Sequence, residues 1–579
     1  MKTKPLPVGV DDFEQLITNG YYYVDKTLLL KELLDKKGEV NLFTRPRRFG
    51  KSLNMSMLRY FFENGRDHVG NQVEHKGLFE GLAIMQAGEA YLYHMGKYPV
   101  IMLSLKSAKQ EDFAQAFAAL KEEIAGEFGR HSYILKSDTM AGHVREKYTA
   151  IMEGKAERSD YNTSLKFLSK CLRDYYGQKV IIMIDEYDVP LESAYIYHYY
   201  TQMISFVRSL IESAMKTNLN LEFAVLTGCL RISKESVFTG MNNLKIISVL
   251  SKNYDEYFGF TNWEVQQLCV DYGIPEKYDV IKEWYDGYVF GNADVYNPWS
   301  VILYVEALVA DLNELPSSYW ANTSSNSIVR SLIERADRNV KDEIEEVIEG
   351  KAVEKPVHED IIYDEIYESM DNLWNFMFFT GYFRKVGERM EAGQKYITLT
   401  IPNEEVRYIF RNKVLGWFRE EVRKRDQTKL FGAFLHLDAA MLRDEIEDML
   451  WTTISFNDYY ESFYHGFLAG ILYGMDGYVV KSNREGGTGR TDLFIRPASR
   501  RKTAYVVEFK VAQKYEDLDK KAEEALEQIE DKAYERELRD DGYASIVRYG
   551  IAFFGKNCEV KVRGRETNES VESEKQRKA

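Results

Sequence analysis

Five short apolar runs in the first 250 residues, set apart mostly by helical stretches, constrain this chain more than any other feature. They are EVNLFT (39–44), YPVIMLSL (98–105), KVIIMID (179–185), LEFAVLT (221–227) and LKIISVL (244–250). Strands alternating with helices predict an α/β fold, a mainly parallel sheet covered by helices. The third run is apolar without a break, as suits a central parallel strand buried on both faces. The full 579 residues correspond to about three to four domains at roughly 150 residues each. The alternating region predicts a first domain at 1–310. Residues 311–450 read as a mostly helical connector, interrupted by a hairpin-like stretch at 380–401. A third unit spans 451–560: a helix, two β-rich runs, then a charged helix. The stretch 561–579 has almost no apolar content and is expected to be disordered.

Composition removes several classes. With 45% hydrophobic and 14% aromatic residues, the chain can build several cores. Its net charge of −15 argues against a protein that coats nucleic acid along its whole surface, but not against a local basic groove. Cys171, Cys229, Cys269 and Cys558 are too scattered for zinc-ligand spacing or a disulfide framework. The N-terminus has no apolar signal region, and runs such as VIIMI (180–184) are too short to cross a bilayer. The expected setting is cytoplasmic, with no membrane partner.

Residues 42–53, LFTRPRRFGKSL, read as a strand end, a loop and a helix start. The triplet GKS ends the pattern GxxxxGK[ST], although Arg45 stands where the first Gly belongs. Gly50 would let backbone N–H groups turn towards an anion, Lys51 would reach terminal phosphates, and Ser52 would ligate Mg²⁺. The helix N-terminus adds a favourable dipole. Candidate nucleotide contacts are Arg45, Arg47, Arg48, Phe49, Gly50, Lys51, Ser52 and Leu53. KVIIMIDEYDVPL (179–191) ends its strand in two acids. Asp185 would hold the metal and Glu186 would orient or deprotonate the attacking water. Thr227 and Arg231, at the end of a further strand, stand where a γ-phosphate sensor and a cation would lie. The expected cofactors are ATP and Mg²⁺ or Mn²⁺. The order of the strands suggests the P-loop subclass with an extra strand between the two motif strands.

In the third unit, GRTDLFIRPASRRKTAYVVEFKVA (489–512) reads as strand, turn, strand. A hairpin centred near residue 500 would place Asp492 opposite Glu508, which shares a face with Lys510; a one-residue slip would put the two acids on opposite faces, and the turn does not fix the register. Two carboxylates that close call for a hard cation, Mg²⁺ or Mn²⁺. Lys510 beside it would orient water and stabilise phosphate charge, the chemistry of metal-assisted phosphodiester hydrolysis. Glu461 and Gln528, on flanking helices, are accessory candidates, and His465 reads as a packed helix residue. Lys481–Lys514 holds nine basic and three acidic side chains, a local +6 that suits nucleic acid.

The phrases RPRRFGKS, YYVDKT (22–27), IDEYDVPL (184–191), LTGCLRIS (226–233), MNNL (241–244) and WYDGYVFG…VYNPWSV (284–301) resemble the AAA-ATPase-like family. The stretch 455–555 resembles the PD-(D/E)XK nuclease superfamily. That resemblance implies a restriction-endonuclease-like C-terminal core. It assigns catalytic roles to Asp492, Glu508 and Lys510, with Glu461 and Gln528 as accessories.

Together these readings describe an ATP-binding protein, a slow ATPase, coupled to a metal-dependent nuclease acting on nucleic acid of unspecified type. A homo-oligomer is compatible with them. The alternative is a nucleotide-switched scaffold that binds nucleic acid or protein without turnover. Around 360–420 a structural spacer is preferred over a winged-helix-like DNA reader.

Overall fold

The computed structural model describes residues 3–67, 69–230, 237–238, 240–320, 338–358, 369–411, 427–453, 461–486, 489–532 and 534–567. The chain divides into two compact units, residues 1–336 with 350–409, and residues 337–349 with 410–579.

In the first unit, β1 (Val40–Thr44) leads through the loop into α1 (Lys51–Phe62). The strands β2 (Val100–Ser104), β3 (Val180–Asp185), β4 (Leu221–Gly228) and β5 (Leu244–Ile247) follow, with α2 (Val189–Ile196) after β3. The sheet order is β2-β3-β4-β1-β5, and every neighbouring pair is parallel. Every residue of β3 is buried, which its uninterrupted apolar sequence requires. The strand inserted between the motif strands β1 and β3 is β4. The run at 98–105, which falls between them in sequence, forms the sheet edge instead. The C-terminal ends of β1, β4 and β3 therefore lie side by side, where parallel sheets hold ligands.

The connector at 311–450 does not form a unit of its own. Residues 350–409 belong with the first unit, and 410–450 with the second. The first part carries a small sheet, β7-β9-β8, in which β9 (Gln394–Thr400) pairs with both β7 (Val353–Pro356) and β8 (Arg384–Glu391). Here β6 denotes Tyr288–Phe290, α3 Pro298–Ala310 and α4 Met370–Phe379. The physical reason for the merger is close packing. Gly381, at φ +94°, brings the backbone so near Pro46 that an added Cβ would lie 3.0 Å from its ring. Gly287, at φ +92°, faces the Pro402 carbonyl, which an added Cβ would meet at 2.0 Å. The α4 helix is buried from Leu373 to Phe379, so it offers no continuous polar face for reading a groove. Residues 359–368 and 412–426 of the 360–420 segment lie outside the described residues.

The second unit has a mixed sheet in the order β10-β11-β12-β13-β14. Its strands are β10 (Tyr478–Gly486), β11 (Gly489–Pro497), β12 (Ala504–Val511), β13 (Ser545–Phe554) and β14 (Asn557–Thr567). α5 (Glu461–Leu472) precedes the sheet, and α6 (Leu518–Asp531) crosses between the parallel pair β12 and β13. α6 lies close on β13 at Gly550, where an added Cβ would meet the Ala522 carbonyl at 2.3 Å. Leu493, Ile495, Val507, Phe509 and Ile551 form the core beneath α5. The disorder expected from residue 561 is corrected for 561–567, which lie in β14. Cys558, Val560 and Val562 face the core while Lys561 and Arg563 pair with Glu523 of α6. Residues 568–579 lie outside the described residues.

One buried acid in the first unit has a pH consequence. Glu405 is fully buried, and burial pushes its pKa up to about 7, against the hydrogen bonds it accepts from Trp320, Ser300 and Tyr319. The folded state therefore retains a proton that the unfolded chain releases, so stability falls as pH rises through the interval up to about 7. The displacement corresponds to roughly 3 kcal/mol. Thermal unfolding at about pH 5 and about pH 8 should show a fall in the wild type that Glu405→Gln lacks. Parallel curves would refute the assignment.

Candidate active sites

The loop after β1 is held open by an internal cation. Arg45 is fully buried and does not line the cavity beside Gly50, Lys51 and Ser52. Its guanidinium donates to the carbonyls of Thr44 (2.9 Å), Ile247 (2.9 Å) and Tyr254 (3.2 Å). It also lies 5.2 Å from the Phe258 ring centre and 5.1 Å from that of Phe290. Burial lowers its pKa to about 9, which leaves it cationic at neutral pH. The expectation that Arg45 contacts nucleotide is therefore corrected: it braces the loop from below. Phe49, which does line the cavity, also anchors the loop. Its ring is buried and packs 5.0 Å from Tyr288 and 5.1 Å from Phe290.

Gly50 takes φ +77° and opens α1, a conformation suited to glycine. Lys51 Nζ donates to the carbonyls of Arg45 (3.0 Å) and Pro46 (2.9 Å). Ser52 Oγ donates to Asp185 Oδ2 at 2.6 Å. Thr227, at the end of β4, donates to the other oxygen of Asp185. The Glu186 amide reaches Thr227 Oγ1 at 3.3 Å. Two strand ends and the start of α1 thus deliver hard oxygen donors to one point, a chemistry that fits Mg²⁺. Glu186 takes φ +52°, and burial raises its pKa against the opposing effect of Lys51.

Beside these groups is a cavity of about 540 Å³. Arg48, Lys51, Ser52, Leu53 and Glu186 line it, facing Trp299 of α3. Arg48 lies 4.1 Å over the Trp299 ring. Arg47 also lines the cavity but pairs with Glu192 of α2, whose own pKa burial raises. Apolar residues from the N-terminal segment, among them Pro7, Val10 and Val24, close another wall. Sequence reasoning missed these, together with Lys106 and Lys109, which also line the cavity. No local motif marks them; only the fold brings them there. Arg231 lies outside the described residues.

In the second unit, Leu493 opposes Val507, so the next register step sets Asp492 beside Glu508. The Asp492 amide donates to Glu508 Oε2 at 3.3 Å, and the Phe509 amide donates to Asp492 Oδ2 at 2.8 Å. Lys510 Nζ is 3.8 Å from Glu508 Oε1. Gln528 of α6 donates to that same oxygen and, at 3.2 Å, to the Tyr534 hydroxyl. Tyr534 was invisible to motif reasoning, since nothing in the spacing from Gln528 signals it. His465 Nε2 is 3.0 Å from the Asp492 carbonyl oxygen and so steadies that strand rather than a ligand. Glu461 opens α5, but its side chain lies outside the described residues. Among the described residues no three His, Cys, Asp or Glu side chains form a metal cluster. The two adjacent carboxylates nevertheless match a hard divalent ion. Within the basic stretch, Arg496 is occupied by Glu537 and Asp541, whereas Arg500, Arg501, Lys502 and Lys514 are exposed.

Arg45 yields a direct test. Arg45→Gly restores the first Gly of the loop pattern but strips three buried carbonyls of their donor. It should lower the unfolding midpoint by the equivalent of about 2–4 kcal/mol and leave nucleotide affinity no better. A stabilised variant with tighter nucleotide binding would refute the brace.

Among the described residues no helix is long and apolar enough to cross a membrane. No solved structure matches the chain. An uncharacterized protein in the vnfD 5' region of Azotobacter chroococcum mcd 1 is 25% identical over 560 residues, covering 94% of this chain and 95% of that protein. Residues 7–238 match the family described as Predicted AAA-ATPase, and residues 459–563 match the PD-(D/E)XK nuclease superfamily. With the parallel sheet and its strand-end oxygens in one unit and the paired carboxylates in the other, the chain joins an AAA-ATPase-like domain to a PD-(D/E)XK nuclease superfamily domain.

Proposed function

We propose that this chain binds ATP with Mg²⁺, hydrolyses it slowly, and uses the nucleotide state to control a metal-dependent phosphodiesterase acting on nucleic acid. The observation that carries the reading is the Ser52–Asp185 hydrogen bond of 2.6 Å, at a cavity that Lys51 and Glu186 also line. Lys51 would leave the loop carbonyls for the β- and γ-phosphates. Ser52 and Asp185 would hold the metal, and Thr227 would keep Asp185 in place. Glu186 would take the proton of the attacking water. In the second unit, Asp492 and Glu508 would hold the metal and Lys510 would orient water. Gln528 would fix the Glu508 rotamer. Mg²⁺ or Mn²⁺, when bound, supplies Lewis-acid stabilisation of charge on the phosphate oxygens.

Phosphate release and nucleotide affinity of the full chain test the first centre. Lys51→Ala should weaken ATP binding by about tenfold or more, whereas Glu186→Gln should retain binding and lose turnover. Wild-type release no greater than that of either variant would refute the ATPase. For the second centre, linear, circular and single-stranded DNA and RNA are incubated with Mg²⁺ or Mn²⁺, with and without ATP. Asp492→Ala should abolish cutting, and Gln528→Ala should reduce it by about 10–100-fold. Cutting that survives Asp492→Ala would refute the site.

A further inference from the structure

We propose that Glu405 is a positioning residue that carries the nucleotide state of the cavity to the stretches of chain leading out of the first unit. The inference rests on the nucleotide reading above and names a route for its regulation.

Pro298, Trp299 and Ile302, in the first turns of α3, line the nucleotide cavity. Ser300, in the same turn, is fully buried and donates to Glu405 at 3.1 Å (Oε1) and 2.8 Å (Oε2). Glu405 Oε1 also accepts the amides of Tyr319 (2.7 Å) and Trp320 (2.8 Å). Trp320 precedes the segment that enters the second unit at residue 337. Glu405 itself lies in helical residues 404–411, where the chain passes to the second unit at residue 410. One carboxylate thus joins the cavity wall to two outgoing passages.

The turn that carries it is fixed from the other side as well. Asn403 Nδ2 donates to the Asp286 carbonyl at 2.6 Å, and Pro402 lies against Gly287. The following residue, Tyr288, packs on Phe49 of the phosphate loop. The loop and α3, two walls of one cavity, therefore converge on residues 402–405. Among the described residues Glu405 has no cationic partner, and its burial is costly. A buried acceptor that depends on its donors is either satisfied or not, so displacement of α3 must move the outgoing segments or break the cluster.

Amide hydrogen exchange at residues 317–320 and 403–409 of the full chain, with and without ATP and Mg²⁺, tests this. The wild type should show an ATP-dependent change of at least about fivefold. Glu405→Gln should keep it, because its amide oxygen can accept both backbone N–H groups while its nitrogen donates to Ser300. Glu405→Ala should bind ATP yet lose the change. Should Glu405→Ala fail to fold, Ser300→Ala, which removes only the link to α3, must bind ATP and lose the change. If the wild type binds ATP and these variants keep its exchange response, the route through Glu405 is wrong and the nucleotide reading stands. If the wild type does not bind ATP, the nucleotide reading falls and the proposal with it.

Discussion

The hydrogen bond from Ser52 to Asp185 is the contact on which the first unit turns. It joins the start of α1 to the end of β3, two elements separated by a whole strand of the sheet. That reach exists only because β4 is inserted between β1 and β3, which puts Thr227 on the opposite oxygen of the same carboxylate. The phosphate loop must also keep its shape without the usual first glycine. Arg45 supplies that shape by binding carbonyls from three segments beneath the loop. A side chain that looks like a ligand for phosphate is instead the loop's internal support.

The second unit solves a similar problem with a different device. Asp492 and Glu508 sit on adjacent antiparallel strands, and each carboxylate accepts a backbone N–H from the other's strand. Those bonds, with Lys510 near Glu508, hold the two carboxylates close together, an arrangement that a divalent ion would favour. The close seat of α6 on Gly550 then places Gln528 on Glu508. Fold and site share the same contacts, so a change that lifts α6 would loosen both.

Much of this was legible along the chain because the information is local. The unbroken apolar run before Asp185 marks a central strand. The strand–turn–strand pattern of 489–512 suggests the pairing of Asp492 with Glu508, but its register is settled only by the fold, where Leu493 opposes Val507. The first glycine's replacement was also visible, but the fate of Arg45 was not, since its carbonyl partners Ile247 and Tyr254 are some 200 positions away. The attachment of residues 350–409 escaped for the same reason: it depends on the close approach of Gly381 to the Pro46 ring and of Gly287 to the Pro402 carbonyl, which no periodicity encodes. The end of the second domain was readable and was hidden by averaging. Cys558, Val560 and Val562 alternate with Glu559, Lys561 and Arg563, a period of two that marks a strand. Composition taken over all of 561–579 dilutes it with the polar residues that follow.

The central claim is that two separate sets of oxygen donors each gather around a divalent ion. Anomalous diffraction from crystals of the full chain grown with Mn²⁺ and a non-hydrolysable ATP analogue tests it most directly. The account predicts one Mn²⁺ peak at Ser52 and Asp185, beside the terminal phosphates, and another between Asp492 and Glu508. Nucleotide bound elsewhere, or Mn²⁺ absent from both positions, would contradict it.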